Sequence, residues 1–310
     1  MKNKRNRYII SIFQPLLLNF RRLYRLAQEY PGLSFATAGV VIAIPFGIYD
    51  YYNNITFREL SVNIQSSVFE VFFLGLLVVG YNKLSSRKEA IERYKEEIAS
   101  YIPWMEPEAT YRIVGLIRSL NKLNVTDINL RFAFLPKANF YNIHLEGAKL
   151  DDVHLEEARL GGGHFEGASL SGTYLQDASL EEACLKGACL VGAQLQGANL
   201  RSAQLQGANL KNAQLQRAWL IRVQLQGANL LNAQLQEAKL IAVFLHDTNL
   251  EGVNLEGAIV VNPNWITELK QMRCLGVEYI EKKYEVISQN ELGNKVYRIR
   301  EKKTSGKNNL

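Results

Sequence analysis

Four histidines and three cysteines are the strongest candidate metal ligands or nucleophiles in this 310-residue chain. Three of them, His144, His164 and Cys184, are spaced twenty residues apart. Imidazole nitrogen and thiolate sulfur are zinc ligands, so a fold that stacks such positions would align them in one column. The competing reading is a solvated row of side chains with nothing to orient it. The sequence contains no phosphate loop, dinucleotide fingerprint, metalloprotease helix or nucleophile elbow. Nor does it predict the pocket of convergent titratable groups that acid–base chemistry requires. The expectation is a non-enzymatic protein with no cofactor and no resident metal, the His144/His164/Cys184 column being its one candidate site. Glu70 is a further isolated polar group, lying inside an apolar stretch.

The elements that must carry these residues differ in charge along the chain. Residues 1–125 sum to +6, residues 126–262 to −4 and residues 263–310 to +4, within an overall +6. Hydrophobic residues make up 47% and charged residues 21%, which excludes a wholly disordered chain. Three Cys cannot form a disulfide framework, so reduced thiols are expected. The basic charge is too dispersed for a nucleic-acid binder, and no nucleic-acid partner is expected.

The amino-terminal part reads as a membrane anchor. Leu33 to Tyr49 (LSFATAGVVIAIPFGIY) carries no charge, and Ile64 to Tyr81 (IQSSVFEVFFLGLLVVGY) carries only Glu70. Each approaches the roughly 20 apolar residues that cross a bilayer. A short polar link, Asp50 to Asn63, joins them into a two-span hairpin within residues 31–82. Tyr49, Tyr51, Tyr52 and Tyr81 suit an aromatic belt, and Lys/Arg concentrate on the flanks with only Arg58 in the link. The expectation is an integral membrane protein with both termini and everything after residue 82 in the cytoplasm. Residues 1–30 read as a basic interfacial helix. Residues 84–100 read as a charged spacer helix capped by Ser85 or Ser86 and ended by Pro103. Glu70, near the outer end of its span, reads as an interfacial or helix-contact residue rather than part of an ion path.

From residue 126 to 262 the chain repeats every five residues. Positions 130, 135, 140 and onward to 255 are all Leu or Phe, 24 of 26 being Leu. Two residues before each, 17 of 26 are Ala and the rest Ile, Val, Thr or Gly. Five matches neither helical nor strand periodicity. The pattern works if the chain turns a corner every five residues, so that each Leu and its Ala face one interior. Short-period repeats of this kind build solenoids. The blocks AQLQG, ANLRS, AQLQG and ANLKN (193–212), with ANLLN and AQLQE (228–237), resemble the pentapeptide-repeat family, A(D/N)LXX, and its membrane-anchored bacterial type. That resemblance implies an all-β, right-handed quadrilateral β-helix with four repeats per coil. Twenty-six repeats then give about six and a half coils, about 4.8 Å apart. Gly161-Gly162-Gly163 departs from the pattern, and Gly163 is expected to loosen one coil.

Solenoid ends need caps. Residues 108–123 place Ile113, Leu116, Ile117, Leu120 and Leu123 at helical spacing, fit to cover the first coil. Residues 264–275 offer a second short helix, with Trp265, Leu269 and Met272 facing the last coil. A β-hairpin follows (Tyr284–Ser288 and Lys295–Arg300), then a disordered basic tail. On the rod, Trp219, Ile221 and Ile241 stand out as outward apolar residues among Gln and Asn, and such clusters mark contact surfaces. The function expected is a membrane-tethered scaffold that binds a partner protein or self-associates through this wall. Two alternatives come from the resemblance. Membrane-spanning members in photosynthetic bacteria are associated with lipid deposition and with regulation of metal uptake, which would act through the hairpin and Glu70. Members of the quinolone-resistance type mimic DNA and inhibit topoisomerases. The rod's −4 charge and its Arg201, Lys211, Arg217 and Arg222 fit a DNA mimic poorly.

Overall fold

The computed structural model describes residues 57–291 and 294–303, with side chains from residue 73 onward except that of Asn294. The interfacial helix (1–30), the first span (33–49) and the tail from residue 304 fall outside the described residues. Helix α1 is Phe57–Tyr101 and α2 is Pro107–Lys122. The repeat follows, including short strands β1 (Lys239–Leu240) and β2 (Ile259–Val260). It is succeeded by α3 (Trp265–Gln271), α4 (Val277–Lys283), β3 (Tyr284–Glu291) and β4 (Asn294–Glu301). Two compact units divide at Glu89/Ala90, within α1.

α1 differs from the sequence reading in two ways. It begins at Phe57, so the last seven residues of the expected polar link are helical; FRELSVN contains neither Gly nor Pro to stop it. It also runs unbroken through Ser85 and Ser86, which are therefore not caps: Ser85 donates to Glu89 Oε1 and Ser86 to Lys83 O. The last turns of α1 do more than space. Ile98 is buried, and Ile91, Tyr94 and Tyr101 pack on the rod's core. Among the described residues, no helix is long and apolar enough to cross a membrane.

The repeat winds a four-sided β-helix. Each outward residue before the inward Leu pairs in parallel with the residue twenty further on, from Asn129↔Lys149 to Gln234↔Asn254. Three hydrogen-bond series hold adjacent coils, exemplified by Leu205 N–H donating to Gln224 O at 2.8 Å, Gln224 N–H to Ala203 O at 3.0 Å and Gly207 N–H to Gln226 O at 2.9 Å. Most corners are β-turns, as where Ala203 N–H donates to Leu200 O at 3.0 Å. The third turn residue takes positive φ, for example 58° at Ser202 and 66° at Gly207. The inward Leu and Ala fill one continuous core. Where Thr replaces Ala, its hydroxyl is satisfied: Thr173 donates to Leu150 O at 2.7 Å and Thr248 to Leu225 O at 2.9 Å. The register extends one repeat past Leu255, through Ala258 to Val260, both buried.

Gly163 does not loosen its coil. A Cβ there would lie 2.6 Å from Phe165 Cε2 and 3.0 Å from Leu160 O. The larger ring two residues on occupies the space that an Ala methyl takes elsewhere.

The caps cover apolar surface and supply missing hydrogen bonds. α2 buries Ala109, Ile113, Ile117 and Leu120. Its polar side chains then stand in for an absent preceding coil. Thr110 donates to Phe134 O, and Arg118 to Asn139 O. Asn121 Nδ2 donates to His144 O at 2.7 Å, and Asn121 Oδ1 accepts from His144 N–H at 3.0 Å. At the other end, α3 ends at Gln271, shorter than the sequence suggests, and α4 is an element the sequence reading did not separate. Leu275 bonds into the ladder as a surrogate repeat residue, through Thr248 O and Leu250 N–H. The sheet order β1-β2-β4-β3 closes the open edge, β4 running antiparallel to β2.

Two predictions follow from these contacts. Asn121→Ala leaves both polar groups of the His144 backbone without their helix partner, and should cost about 1–2 kcal/mol, read as a lowered thermal midpoint. Gly163→Ala should destabilise by about 1–3 kcal/mol through overpacking, and the pair Gly163→Ala/Phe165→Leu should recover most of it, because it restores the common Ala–Leu pair. Equal midpoints for the single and double variants would sink the packing explanation.

Candidate interaction surface and side-chain columns

Because the coil holds twenty residues, every outward position belongs to a column. One face carries Asn199, Trp219 and Lys239 in succession. Trp219 is 40% exposed, with Lys239 Nζ 4.0 Å from its ring centroid. The cation covers one part of an otherwise apolar face, a contact worth about 0.5–1 kcal/mol at an exposed site. Ile221 and Ile241 are half-buried at the next corner, one coil apart, as shown by Arg222 N–H donating to Ile241 O. Phe244, 47% exposed on the adjoining face, is a residue the sequence reading missed. It occupies the outward position before Leu245, where Gln204 and Gln224 stand in the two coils below. Its type at that position was the available signal.

His144, His164 and Cys184 do form one column, joined by successive parallel bridges. The His144 and His164 rings stack at 4.6 Å and 8°. Cys184 is buried and stands apart chemically: burial first, then its hydrogen bond with Glu166, pushes the thiol up from its ordinary value. A protonated thiol is a poor metal ligand. The carboxylates take its place. Glu146 Oε1 lies 2.9 Å from His144 Nδ1, and Glu166 Oε1 lies 3.3 Å from His164 Nδ1. Burial raises the Glu166 carboxyl, but hydrogen bonds from Cys184, its own backbone and His164 outweigh this and hold it below its ordinary value. His154 repeats the pairing with Glu156 at 2.8 Å, but on another face, stacked on Tyr174 at 4.2 Å. The signal for these carboxylates was present in the sequence as His-x-Glu at 144–146, 154–156 and 164–166. His246 is exposed on a later corner. Glu70 lies in α1, but its side chain is outside the described set.

Ion pairs also follow the columns. Arg131 Nε meets Asp151 Oδ2 at 2.6 Å, and Arg217 Nε meets Glu237 Oε2 at 3.0 Å, each pair twenty residues apart. A groove of about 490 Å³ runs along another corner, lined by Gln176, Gln196, Gln216 and Gln236 and the residues after them. The glutamines rung across coils: Gln176 Nε2 donates to Gln194 Oε1 at 2.8 Å and Gln196 Nε2 to Gln214 Oε1 at 2.6 Å.

A solid apolar interior, columns of outward side chains and capped ends define a pentapeptide-repeat solenoid. The profile of the pentapeptide-repeat family matches in eight copies over residues 124–162, 148–187, 188–223 and 220–257. The chain belongs to the pentapeptide-repeat family, whose members fold as right-handed β-helices and are generally structural or interaction proteins. Rfr23, a pentapeptide repeat protein of the cyanobacterium Cyanothece 51142, is 31% identical over 44% of this chain and 92% of its own, with a TM-score of 0.20. A pentapeptide repeat protein of Nostoc PCC 7120 is 31% identical over 33% of this chain and 79% of its own, with a TM-score of 0.29. One from the Arabidopsis thaliana thylakoid lumen is 29% identical over 34% and 73%, with a TM-score of 0.28. No curated protein matches the chain.

Asp151 makes the rod's stability acid-sensitive. Burial raises its carboxyl, but bonds from Ser169, Arg131 and the Ser171 N–H outweigh burial and hold it below the ordinary 3.8. A carboxyl lowered in the folded state stabilises above its unfolded value and loses that contribution as pH falls through the folded value. Thermal midpoints should therefore fall on acidification below about pH 4, and the fall should be shallower in Asp151→Asn. An unchanged pH profile in that variant would rule out this contribution.

Proposed function

We propose that this protein is a non-enzymatic, membrane-tethered scaffold whose β-helix presents Trp219, Ile221, Ile241 and Phe244 to a protein partner or to a second copy of itself. The observation that carries the reading is this apolar cluster beside the Gln- and Asn-rich stretch 194–236. Its two exposed aromatic rings flank the corner where the two isoleucines sit. Trp is among the residue types that dominate binding energy at protein interfaces, and Phe is enriched there. The filled apolar core leaves the outer wall as the surface for recognition.

The tether is supported by α1. Phe73, Leu74, Leu76, Leu77 and Val79 are 44–67% exposed on consecutive turns. A helix apolar on several sides needs covering by lipid or by another chain. The Lys/Arg flanks of the two apolar stretches favour a cytoplasmic rod by the positive-inside rule. The DNA-mimic alternative lacks the sustained negative charge it requires.

The test compares full-length protein with a Trp219→Glu/Ile221→Glu/Ile241→Glu variant, both solubilised from membranes. The intact chain should remain in the membrane fraction after alkaline carbonate washing, whereas residues 1–84 removed should release the rod. A defined partner, or a dimer seen by light scattering, should be present with the intact wall and lost with the variant. Release of the intact chain by carbonate would overturn the tether. Retention of partner or dimer by the variant would overturn the wall.

A further inference from the structure

We propose that His144, Glu146 and His164, on the amino-terminal coils of the rod, form a binding site for a zinc-class divalent metal ion. The geometry is a product of the repeat. The residues before and after each inward Leu or Phe both project outward, so a His-x-Glu triplet places imidazole and carboxylate side by side. A coil of twenty then sets the His164 triplet directly over the His144 triplet. One ligand atom from each of His144, Glu146 and His164 lies within 4.8 Å of the others. Ligands around a tetrahedral ion with bonds of about 2.0–2.1 Å are about 3.3 Å apart, so side-chain rotation has to close the remaining gap. The imidazoles are 49% and 43% exposed, which leaves them free to make it.

A second observation points the same way. Glu146 Oε2 and Glu166 Oε2 are buried without a hydrogen-bond partner, as are the Oε1 atoms of Gln176, Gln196 and the later glutamines at the same corner position, but only in the glutamates does the orphaned oxygen carry charge. A carboxylate oxygen withdrawn from water without a partner is costly, and a bound cation removes that cost. Glu156 Oε2 is also unpartnered, yet its triplet has only one imidazole, His154, and a tyrosine stacked over it. That difference makes the His144–His164 face the site and supplies an internal control. Two imidazoles and one carboxylate suit Zn²⁺ and its neighbours over Mg²⁺ or Ca²⁺, which take oxygen ligands. Glu166 is placed to orient His164 through Nδ1. Binding would tie two coils together at the end nearest α2, whose Asn121 already holds the His144 backbone.

The experiment is a Zn²⁺ titration of full-length, detergent-solubilised protein, read by calorimetry and by competition with a chromophoric chelator. One ion per chain is expected. His144→Ala, His164→Ala and Glu146→Gln should each weaken binding by about tenfold or more. His154→Ala should leave it unchanged. Co²⁺ should substitute, giving visible absorption bands that His164→Ala abolishes. The proposal is overturned by no saturable binding up to about 1 mM Zn²⁺, by less than threefold loss in His164→Ala, or by an equal loss in His154→Ala.

Discussion

One constraint governs the rod: every fifth side chain must fit the same narrow interior. Leu at that position with Ala two residues earlier is the usual filling, and Ile143 beside Leu145 or Val223 beside Leu225 shows that the minus-two position also takes a β-branched side chain. Where Phe165 brings a ring, Gly163 gives up its Cβ. In that repeat the extra volume of the ring is offset two residues away, whereas Phe140 keeps Ala138 beside it. The backbone follows from the same demand. The chain can return its next Leu to the centre only by turning sharply, and positive φ at the third turn residue, Gly in eleven repeats, makes that turn.

A stack of identical coils protects its own middle and neglects its ends. The middle coils bond to neighbours above and below. The end coils do not, and each end solves the problem differently. At the amino-terminal end, helix α2 supplies Thr110, Arg118 and Asn121 side chains to backbone groups that lack a preceding coil. At the carboxy-terminal end, backbone does the work: Leu275 imitates a repeat residue and β4 pairs with β2. The phenol oxygen of Tyr284, the buried first residue of β3, accepts from Leu255 N–H at 3.3 Å.

How much could be read from the sequence depended on how local the determinant was. The coil was legible because its signal is repeated at fixed spacing from Leu130 to Leu255. The apolar face of α2 was legible because Ile113, Ile117 and Leu120 fall on one helical stripe. The boundary of α1 was not, since nothing in FRELSVN or around Ser85 marks a stop, and helix continuity is then decided by the absence of breakers. The strand pairing of β2 with β4 joins residues some forty apart, and no periodicity announces it. At the surface, Trp219 and the isoleucines were visible as oddities, whereas Phe244 was lost among the expected outward positions. The His column is legible at a spacing of twenty, whereas its carboxylate partners are legible only at a spacing of two, as His-x-Glu.

A coil of four equal sides also has a geometric consequence. Inserting or deleting twenty residues shifts everything beyond it along the axis without turning it. Inserting five, a single Ala-x-Leu unit, rotates everything beyond it by a quarter turn while the interior continues undisturbed. Trp219 could thus be re-aimed relative to the His144 end of the rod by one short duplication, with no change in core composition. In such a protein, direction is encoded by repeat number modulo four, and a family built this way can explore orientation much as others explore loop length.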